Sequence, residues 1–167
     1  TIALTPTDNP TLYGVVETED DGRVKRFIEK PSWSAVTTNM INAGVYILEP
    51  DVLEQIPTDQ FYMFEQGLFP SLLDSGAPVY GYGSNGYWID IGTPEKYMKL
   101  NFDLLTGETS ISPPGEELGV GIWTESAVDI HPDAKIEGPV AVGRNSAIGA
   151  GVCITGPAVI GPDCIIG

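Results

Sequence analysis

Short apolar runs separated by turn signals fill residues 1–107, a pattern typical of an α/β domain. Five of these runs predict strands, at residues 1–6, 13–17, 24–29, 40–48 and 79–82. The run at 40–48 is nearly continuous, and it therefore predicts a central strand that is buried on both faces. Asp20-Asp21-Gly22 predicts a tight turn that joins the second and third strands into a hairpin.

Proline and glycine positions indicate where the helices lie. Helical spacing and proline-initiated segments predict helices at residues 50–56, 64–73 and 94–105. Pro70 falls inside the second of these, where it must either kink the helix or begin a new one. Thr93 fits the N-cap of the third helix, and Gly107 fits its end.

The chain beyond residue 122 follows a different rule, a period of six residues. The aliphatic positions of this period are Ile130, Ile136, Val142, Ile148, Ile154, Ile160 and Ile166. A small or β-branched residue stands two places before each of them, at Val128, Ala134, Val140, Ser146, Val152, Ala158 and Cys164. Such a hexapeptide period predicts a parallel β-helix, in which each repeat forms one short strand and a turn and the aliphatic side chain fills the interior.

A polar segment separates the two patterns. Residues 108–122 contain Pro113-Pro114-Gly115 and predict a linker, so we expect two domains, at residues 1–107 and 123–167. The chain begins within the apolar run Ile2-Ala3-Leu4 and ends within the hexapeptide pattern. We therefore interpret both ends as cut and the chain as a piece of a longer protein.

Composition restricts the partners that the protein could have. The 167 residues are 42% hydrophobic, enough for a packed core, and they include 23 acidic and 8 basic residues for a net charge of −15. This charge argues against binding to nucleic acid or to an anionic membrane surface. No apolar run approaches the roughly 18 residues of a membrane span. We expect a cytoplasmic protein in which Cys153 and Cys164 are reduced thiols.

Glu29 and Lys30 are the first candidates for chemistry, because they stand at the end of a predicted strand. Pro31 follows at once and favours an extended conformation of Lys30. Strand ends are where α/β proteins place their ligand contacts. The alternative is an ordinary surface pair of opposite charges.

Three further polar or small residues interrupt apolar runs. Asn42 and Gly44 break the predicted central strand, where a buried amide needs partners and a glycine marks close approach by another group. The alternative for them is a bulge with a satisfied amide. Asp90 stands in an apolar segment that predicts a strand, between Ile89 and Ile91. Burial of its charge would need a Lys or Arg partner, a backbone cap or a metal ion.

Taken together, these segments resemble the nucleotide-sugar pyrophosphorylases, or sugar-1-phosphate nucleotidyltransferases, and most of all the mannose-1-phosphate guanylyltransferases. The resemblance rests on the order and spacing of Thr1-Ile2-Ala3-Leu4-Thr5-Pro6, Tyr13-Gly14-Val15-Val16-Glu17, Phe27-Ile28-Glu29-Lys30-Pro31, Ile41-Asn42-Ala43-Gly44-Val45-Tyr46, Phe64-Glu65 with Leu68-Phe69-Pro70, and Gly86-Tyr87-Trp88-Ile89-Asp90-Ile91-Gly92-Thr93-Pro94. It implies that residues 1–107 are the C-terminal, sugar-binding half of a Rossmann-like mixed sheet. It also implies that residues 123–167 begin a left-handed parallel β-helix.

The resemblance further implies an activity and a set of roles. The family transfers a nucleotidyl group from a nucleoside triphosphate to a sugar 1-phosphate and releases pyrophosphate, and GTP with mannose 1-phosphate is the expected pair. Glu29 would bind sugar hydroxyls and Lys30 the sugar phosphate, with Gly14, Asn42 and Gly44 lining the sugar pocket. Asp90 would help to bind Mg²⁺.

The resemblance places the catalytic loop of the family upstream, in a nucleotide-binding half on which activity depends. No catalytic residue is expected in this chain, which alone should be inactive.

Other functions stay open on the sequence alone. Glucose 1-phosphate with UTP or dTTP is the main alternative substrate pair. Hexapeptide β-helices also include acyltransferases with a catalytic histidine, for which His131 is the only candidate, although its place before Pro132 favours a turn. A non-catalytic, sugar-nucleotide-sensing relative is a third alternative. We expect the β-helix itself to mediate homo-oligomerisation, because stacked coils leave flat faces and open ends.

Overall fold

The computed structural model describes all 167 residues, which divide into two compact units, Thr1–Trp88 and Ile89–Gly167. The boundary predicted near residue 107 therefore falls inside the second unit. No helix is both long and apolar enough to cross a bilayer.

The first unit is built on a mixed five-stranded sheet with the strand order β3-β2-β4-β1-β5. Its strands are β1 (Ile2–Pro6), β2 (Gly14–Thr18), β3 (Val24–Glu29), β4 (Met40–Tyr46) and β5 (Gly81–Gly83). β1 and β5 are parallel, and the remaining pairs are antiparallel. The predicted hairpin is confirmed, since β2 and β3 pair directly across the Asp20-Asp21-Gly22 turn.

Helical segments cover one face of this sheet. After α1 (Pro50–Leu53), a π-helical turn (Phe64–Leu68) leads into α2 (Phe69–Asp74). Pro70 lies in the first turn of α2, so it begins a new helix, which is one of the two predicted outcomes. Leu68 and Phe69 are fully buried against a core that includes Ile2 and Leu4.

The prediction that β4 is buried on both faces is wrong. The strand is central in the sheet and Ile41 is fully buried, but Val45 and Ile47 are 61% and 77% exposed. These two side chains line an open apolar pocket of about 510 Å³ together with alternate residues of β1 such as Ala3. Successive residues of a strand point to opposite faces. The core cluster therefore packs on the face of Ile2 and Leu4, whereas the opposite face is buried at Ile41 and open at Val45.

The apolar segment around Asp90 does not form the predicted strand, because residues 84–93 have no regular secondary structure. Gly86 and Gly92 flank the segment and weaken its preference for a strand. The fifth strand also differs from its prediction at 79–82, since β5 begins at Gly81 and ends at Gly83.

The second unit begins with α3 (Pro94–Thr106), whose ends agree with the prediction. The Thr93 hydroxyl accepts a hydrogen bond from the backbone N–H of Lys96 at 3.3 Å, and Gly107 follows with a φ of 79°. Both are standard devices for beginning and ending a helix.

The remainder of the second unit consists of short strands, which pair in parallel with one exception. These strands are β6 (Glu116–Gly119), β7 (Ile122–Thr124), β8 (Asp129–Ile130), β9 (Lys135–Glu137), β10 (Val140–Val142), β11 (Ala147–Ile148), β12 (Cys153–Thr155), β13 (Ala158–Ile160) and β14 (Ile165–Ile166). They form sheets of order β13-β10-β7-β6, β14-β11-β8 and β12-β9. The predicted inward positions pack into one cluster around the buried Val140, Val142 and Ile148.

Part of the predicted linker is ordered as a strand. β6 lies within residues 108–122 and pairs antiparallel with β7, with Glu116 opposite Thr124. The polar composition of this segment suits an exposed edge strand as well as a connection, because all four residues of β6 are exposed. Pro113-Pro114-Gly115 stands immediately before this strand.

Candidate functional site

The open end of the β2–β3 hairpin holds three of the predicted site residues. Gly14 and Glu29 are direct partners across the hairpin, and Lys30 follows at the end of β3. The backbone N–H of Lys30 donates to the carbonyl of Tyr13 at 3.0 Å. Lys30 is not extended as predicted but has a φ of 45°, because the chain turns away from the hairpin at this point.

Gly14 is a close-approach position. A Cβ atom at Gly14 would lie 2.6 Å from Cζ of Phe27 and 2.9 Å from Oε2 of Glu29. The Glu29 carboxylate therefore lies over the backbone of Gly14, and no larger residue fits there without displacement of the carboxylate or the ring.

Asn42 and Gly44 form a bulge in β4. Leu4 pairs with Asn42 and Ile2 pairs with Tyr46, so β4 contains extra residues between these pairs. The Asn42 Oδ1 accepts a hydrogen bond from the N–H of Gly44 at 2.9 Å, and Gly44 has a φ of 78°. The structure thus has the bulge with a satisfied amide that was the alternative to a ligand contact, and the sugar contact of these residues stays a prediction.

A chain of hydrogen bonds continues from this bulge to a carboxylate that the sequence reasoning missed. Asn42 Nδ2 donates to the Tyr46 hydroxyl at 2.7 Å, and this hydroxyl donates to Oε1 of Glu65 at 3.2 Å. Glu65 is half-buried in the π-helical turn. The sequence did carry a signal for Glu65, because it is an acid within an apolar helical segment. An acid in such a segment is costly to bury without a partner.

The charge of Glu65 acts on the carboxylate of Glu29. Burial raises the pKa of Glu29 above its ordinary value, the charge of Glu65 raises it further, and the Lys30 ammonium opposes both effects. Burial also raises the pKa of Tyr46, which is therefore a hydroxyl donor at neutral pH. Two carboxylates from separate elements thus share one region beside a single lysine.

Trp88 links the hairpin end to the β4 bulge. Its indole N–H donates to the Ala43 carbonyl at 3.0 Å. Its ring meets the ring of Tyr13 edge to face, with centroids 5.5 Å apart and an interplanar angle of 78°. The first unit therefore brings together five of the predicted residues, namely Gly14, Glu29, Lys30, Asn42 and Gly44, through contacts on three segments of the chain.

Asp90, the sixth predicted residue, lies in the second unit just before α3. Its Oδ2 is 3.3 Å from Nζ of Lys96, and its side chain is 47% exposed. The lysine partner, one of the three predicted ways to satisfy this charge, is therefore present. No cluster of three or more His, Cys, Asp or Glu side chains suited to a metal occurs. A single carboxylate fits Mg²⁺ only as one ligand among substrate oxygens and water.

His131 has the geometry of a turn residue. Its Nδ1 accepts a hydrogen bond from the backbone N–H of Asp133 at 3.1 Å, directly after β8. This contact orients the imidazole towards its own turn.

Comparison with known proteins gives a consistent result. The family model described as "Nucleotidyl transferase" matches residues 1–107. A UTP–glucose-1-phosphate uridylyltransferase of Synechocystis is 39% identical over an alignment of 163 positions, which covers 96% of this chain and 42% of that protein. A mannose-1-phosphate guanylyltransferase of Mycobacterium tuberculosis is 33% identical over an alignment of 165 positions, which covers 95% of this chain and 44% of that protein.

A glucose-1-phosphate adenylyltransferase of Clostridium novyi is 29% identical over an alignment of 171 positions, which covers 97% of this chain and 43% of that protein. The chain therefore spans less than half the length of each of these three relatives. The names of these relatives share a reaction class and differ in the base and in the sugar.

Proposed function

Because this chain belongs to the nucleotidyl transferase family, we propose that it forms the sugar-1-phosphate half-site of an enzyme that makes a nucleotide sugar. The whole enzyme would join a nucleoside triphosphate to a sugar 1-phosphate and release pyrophosphate. The observation that supports this most directly is the hairpin end, where an acid, a lysine and a glycine without room for a side chain meet.

Each of these residues has a role that follows from its chemistry. Lys30 is exposed and offers a compact positive charge for the phosphate of the sugar. The Glu29 carboxylate accepts hydrogen bonds from sugar hydroxyls, which are donors. Gly14 lets the carboxylate and the sugar lie close to the backbone. Asn42 and Gly44 shape the neighbouring wall through the bulge in β4.

The reaction requires little covalent chemistry from the protein. A phosphate oxygen of the sugar attacks the α-phosphorus of the triphosphate in line, so that positioning and neutralisation of charge supply most of the rate. Lys30 would hold the attacking phosphate and reduce its repulsion from the triphosphate. Mg²⁺, with Asp90 as one ligand, would supply further neutralisation of phosphate charge. The nucleotide-activating residues are expected in a further segment, without which this chain is inactive.

Two substrate pairs are candidates. The sequence resemblance favours GTP with mannose 1-phosphate, and the 39% identity to a uridylyltransferase favours UTP with glucose 1-phosphate. Product analysis of the full-length protein, with four triphosphates each offered with both sugar phosphates, distinguishes them. One pair should give a nucleotide sugar and an equal amount of pyrophosphate. Failure of every pair to release pyrophosphate would contradict the proposed reaction.

The metal assignment has its own test. Asp90→Asn in the full-length protein should require a higher Mg²⁺ concentration for half-maximal turnover, because one anionic ligand is lost. Wild-type turnover by this variant at limiting Mg²⁺ would contradict the assignment. Thermal unfolding of the variant serves as the control for the loss of the contact with Lys96.

We further propose that residues 123–167 begin a left-handed β-helix that mediates homo-oligomerisation. The register of the parallel strands supports a coil, since β10 pairs with β7 on one side and with β13 on the other. The alternative of acyl transfer by His131 is less favoured, because its imidazole already contacts its own turn.

A further inference from the structure

Glu65 stands on a different element from Glu29 but in the same region of the first unit. It projects from the π-helical turn, and β3 supplies Glu29. The carboxylate of Glu65 is held by the Tyr46 hydroxyl, which itself receives a hydrogen bond from Asn42. Its orientation is therefore fixed by two successive hydrogen bonds that begin at the β4 bulge.

This arrangement is unfavourable for stability. The charge of Glu65 disfavours the ionised form of Glu29, whose pKa is raised by burial and by this charge. The one cation that opposes this effect at Glu29 is Lys30, which is exposed. A pair of half-buried acids with little cationic compensation is typical of a site that acts on a ligand rather than of a structural core.

From this geometry we propose that Glu65 is a second sugar-binding carboxylate, which accepts hydrogen bonds from hexose hydroxyls, and that Tyr46 is the residue that positions it. The inference rests on the proposed sugar-1-phosphate site and adds a residue to it. It also defines the ligand class, because two acceptors on separate elements suit a sugar that presents several hydroxyl donors.

The two carboxylates would differ in what they recognise. Glu29 lies over Gly14, beside Lys30, and so would contact hydroxyls near the anomeric phosphate. Glu65 is held from the side of β4 and would contact a different hydroxyl. An acceptor that loses its donor is left unpaired, which makes such a site selective for the sugar's hydroxyl pattern.

The test compares variants of the full-length protein in steady-state kinetics. Glu65→Gln, which preserves shape, should raise the KM for the sugar 1-phosphate by about 10- to 100-fold, the range expected for a hydrogen bond to a charged group. The KM for the triphosphate should not change. Tyr46→Phe should raise the sugar KM by a smaller factor, and Glu54→Gln, an exposed acid at the end of α1, should have no effect.

A panel of monodeoxy sugar 1-phosphates separates recognition from a purely structural role. One deoxy analogue should bind the wild type more weakly than the parent sugar 1-phosphate does. Glu65→Gln should bind this analogue and the parent sugar equally, since the substitution and the missing hydroxyl remove the same hydrogen bond. A different analogue should show this behaviour with Glu29→Gln. Thermal unfolding of each variant identifies misfolding, and Glu65→Asp then provides the second variant for the same panel.

The outcomes are distinct. Normal wild-type turnover with an unchanged sugar KM in Glu65→Gln would overturn the inference and leave the proposed function intact. Equal losses for every deoxy analogue in wild type and Glu65→Gln would also overturn it. No turnover by the wild type with any sugar phosphate would overturn the proposed function and this inference with it.

Discussion

Gly14 shows at the scale of one residue how the absence of a side chain shapes the site. It is buried, it pairs with Glu29, and the space in which its Cβ would lie is occupied by the Phe27 ring and the Glu29 carboxylate. The packing of the Phe27 ring and the position of the Glu29 carboxylate thus both depend on the absence of a side chain at Gly14.

Gly14→Ala should destabilise the first unit by about 1–3 kcal/mol, as overpacking of a core does, and should raise the KM for the sugar 1-phosphate. The matched control is Gly83→Ala in β5, where the nearest atom to the new Cβ would be 3.5 Å away, an ordinary contact. Urea unfolding measures the difference. Equal stability of the two variants would contradict the close approach of Glu29.

The raised pKa of Glu29 predicts a pH dependence. Sugar hydroxyls donate to the ionised carboxylate, so affinity should be present above this raised pKa and fall as the pH drops through it. Glu65→Gln removes a charge that raises the pKa of Glu29, so the loss of affinity should move to lower pH. The test is the KM for the sugar 1-phosphate of wild type and variant, measured between about pH 4 and 7. The sugar phosphate itself ionises in this range, but it does so equally for both proteins, so a difference between the two profiles comes from the protein. Coincident profiles would contradict it.

Individual residues were predictable where a local signal exists. Glu29 and Lys30 stand out because Pro31 predicts the end of a strand, and in the structure β3 does end at Glu29. The φ of Lys30 and the place of Glu65 were not predictable. Both depend on contacts between segments far apart in the sequence, the first with Tyr13 and the second with Tyr46.

At the scale of elements, the sequence predicted where helices begin and end more accurately than it predicted which strand faces are buried. The cap at Thr93, the stop at Gly107 and the new helix at Pro70 follow from backbone chemistry that nearby residues decide. The burial of β4 was mispredicted, because an apolar strand face is buried only if another element covers it. The sequence predicts Val45 as a core residue, yet it is 61% exposed.

The hexapeptide stack offers a matched pair of valines for a test of its interior. Val140 in β10 is fully buried, whereas Val159 in the neighbouring β13 is 50% exposed. Val140→Ala should cost about 1–3 kcal/mol of stability, since it leaves a cavity, and Val159→Ala should cost less than about 0.5 kcal/mol. Thermal unfolding of the two variants measures this. Similar losses would show that the six-residue period does not separate interior positions such as Val140 from exposed ones such as Val159.

At the scale of the whole molecule, one face of the first sheet is partly open to solvent. Val45 and Ile47 line an open apolar pocket of about 510 Å³. The chain also spans less than half the length of the three relatives described above. We expect the rest of the full-length protein to cover this face, because a large apolar patch is otherwise rare on a folded surface.

Val45→Ser and Ile47→Ser test this expectation. In this chain alone each should change stability by less than about 0.5 kcal/mol, because the side chains are exposed. In the full-length protein each should cost about 2 kcal/mol or more, because a covered apolar side chain is replaced by a hydroxyl. Chemical denaturation of both forms gives the comparison. Equally small effects in the two forms would mean that the face stays exposed.

The central claim, that this chain holds the sugar phosphate, is tested most directly by the sugar-1-phosphate dependence of turnover in full-length Lys30→Ala. Its control is Lys25→Ala on the same strand, where the lysine is exposed and lies 3.7 Å from Glu19. At saturating triphosphate, the sugar KM should rise about 10- to 100-fold in Lys30→Ala, because a charged contact to phosphate is lost, and should not change in Lys25→Ala. An unchanged sugar KM in Lys30→Ala would contradict the account.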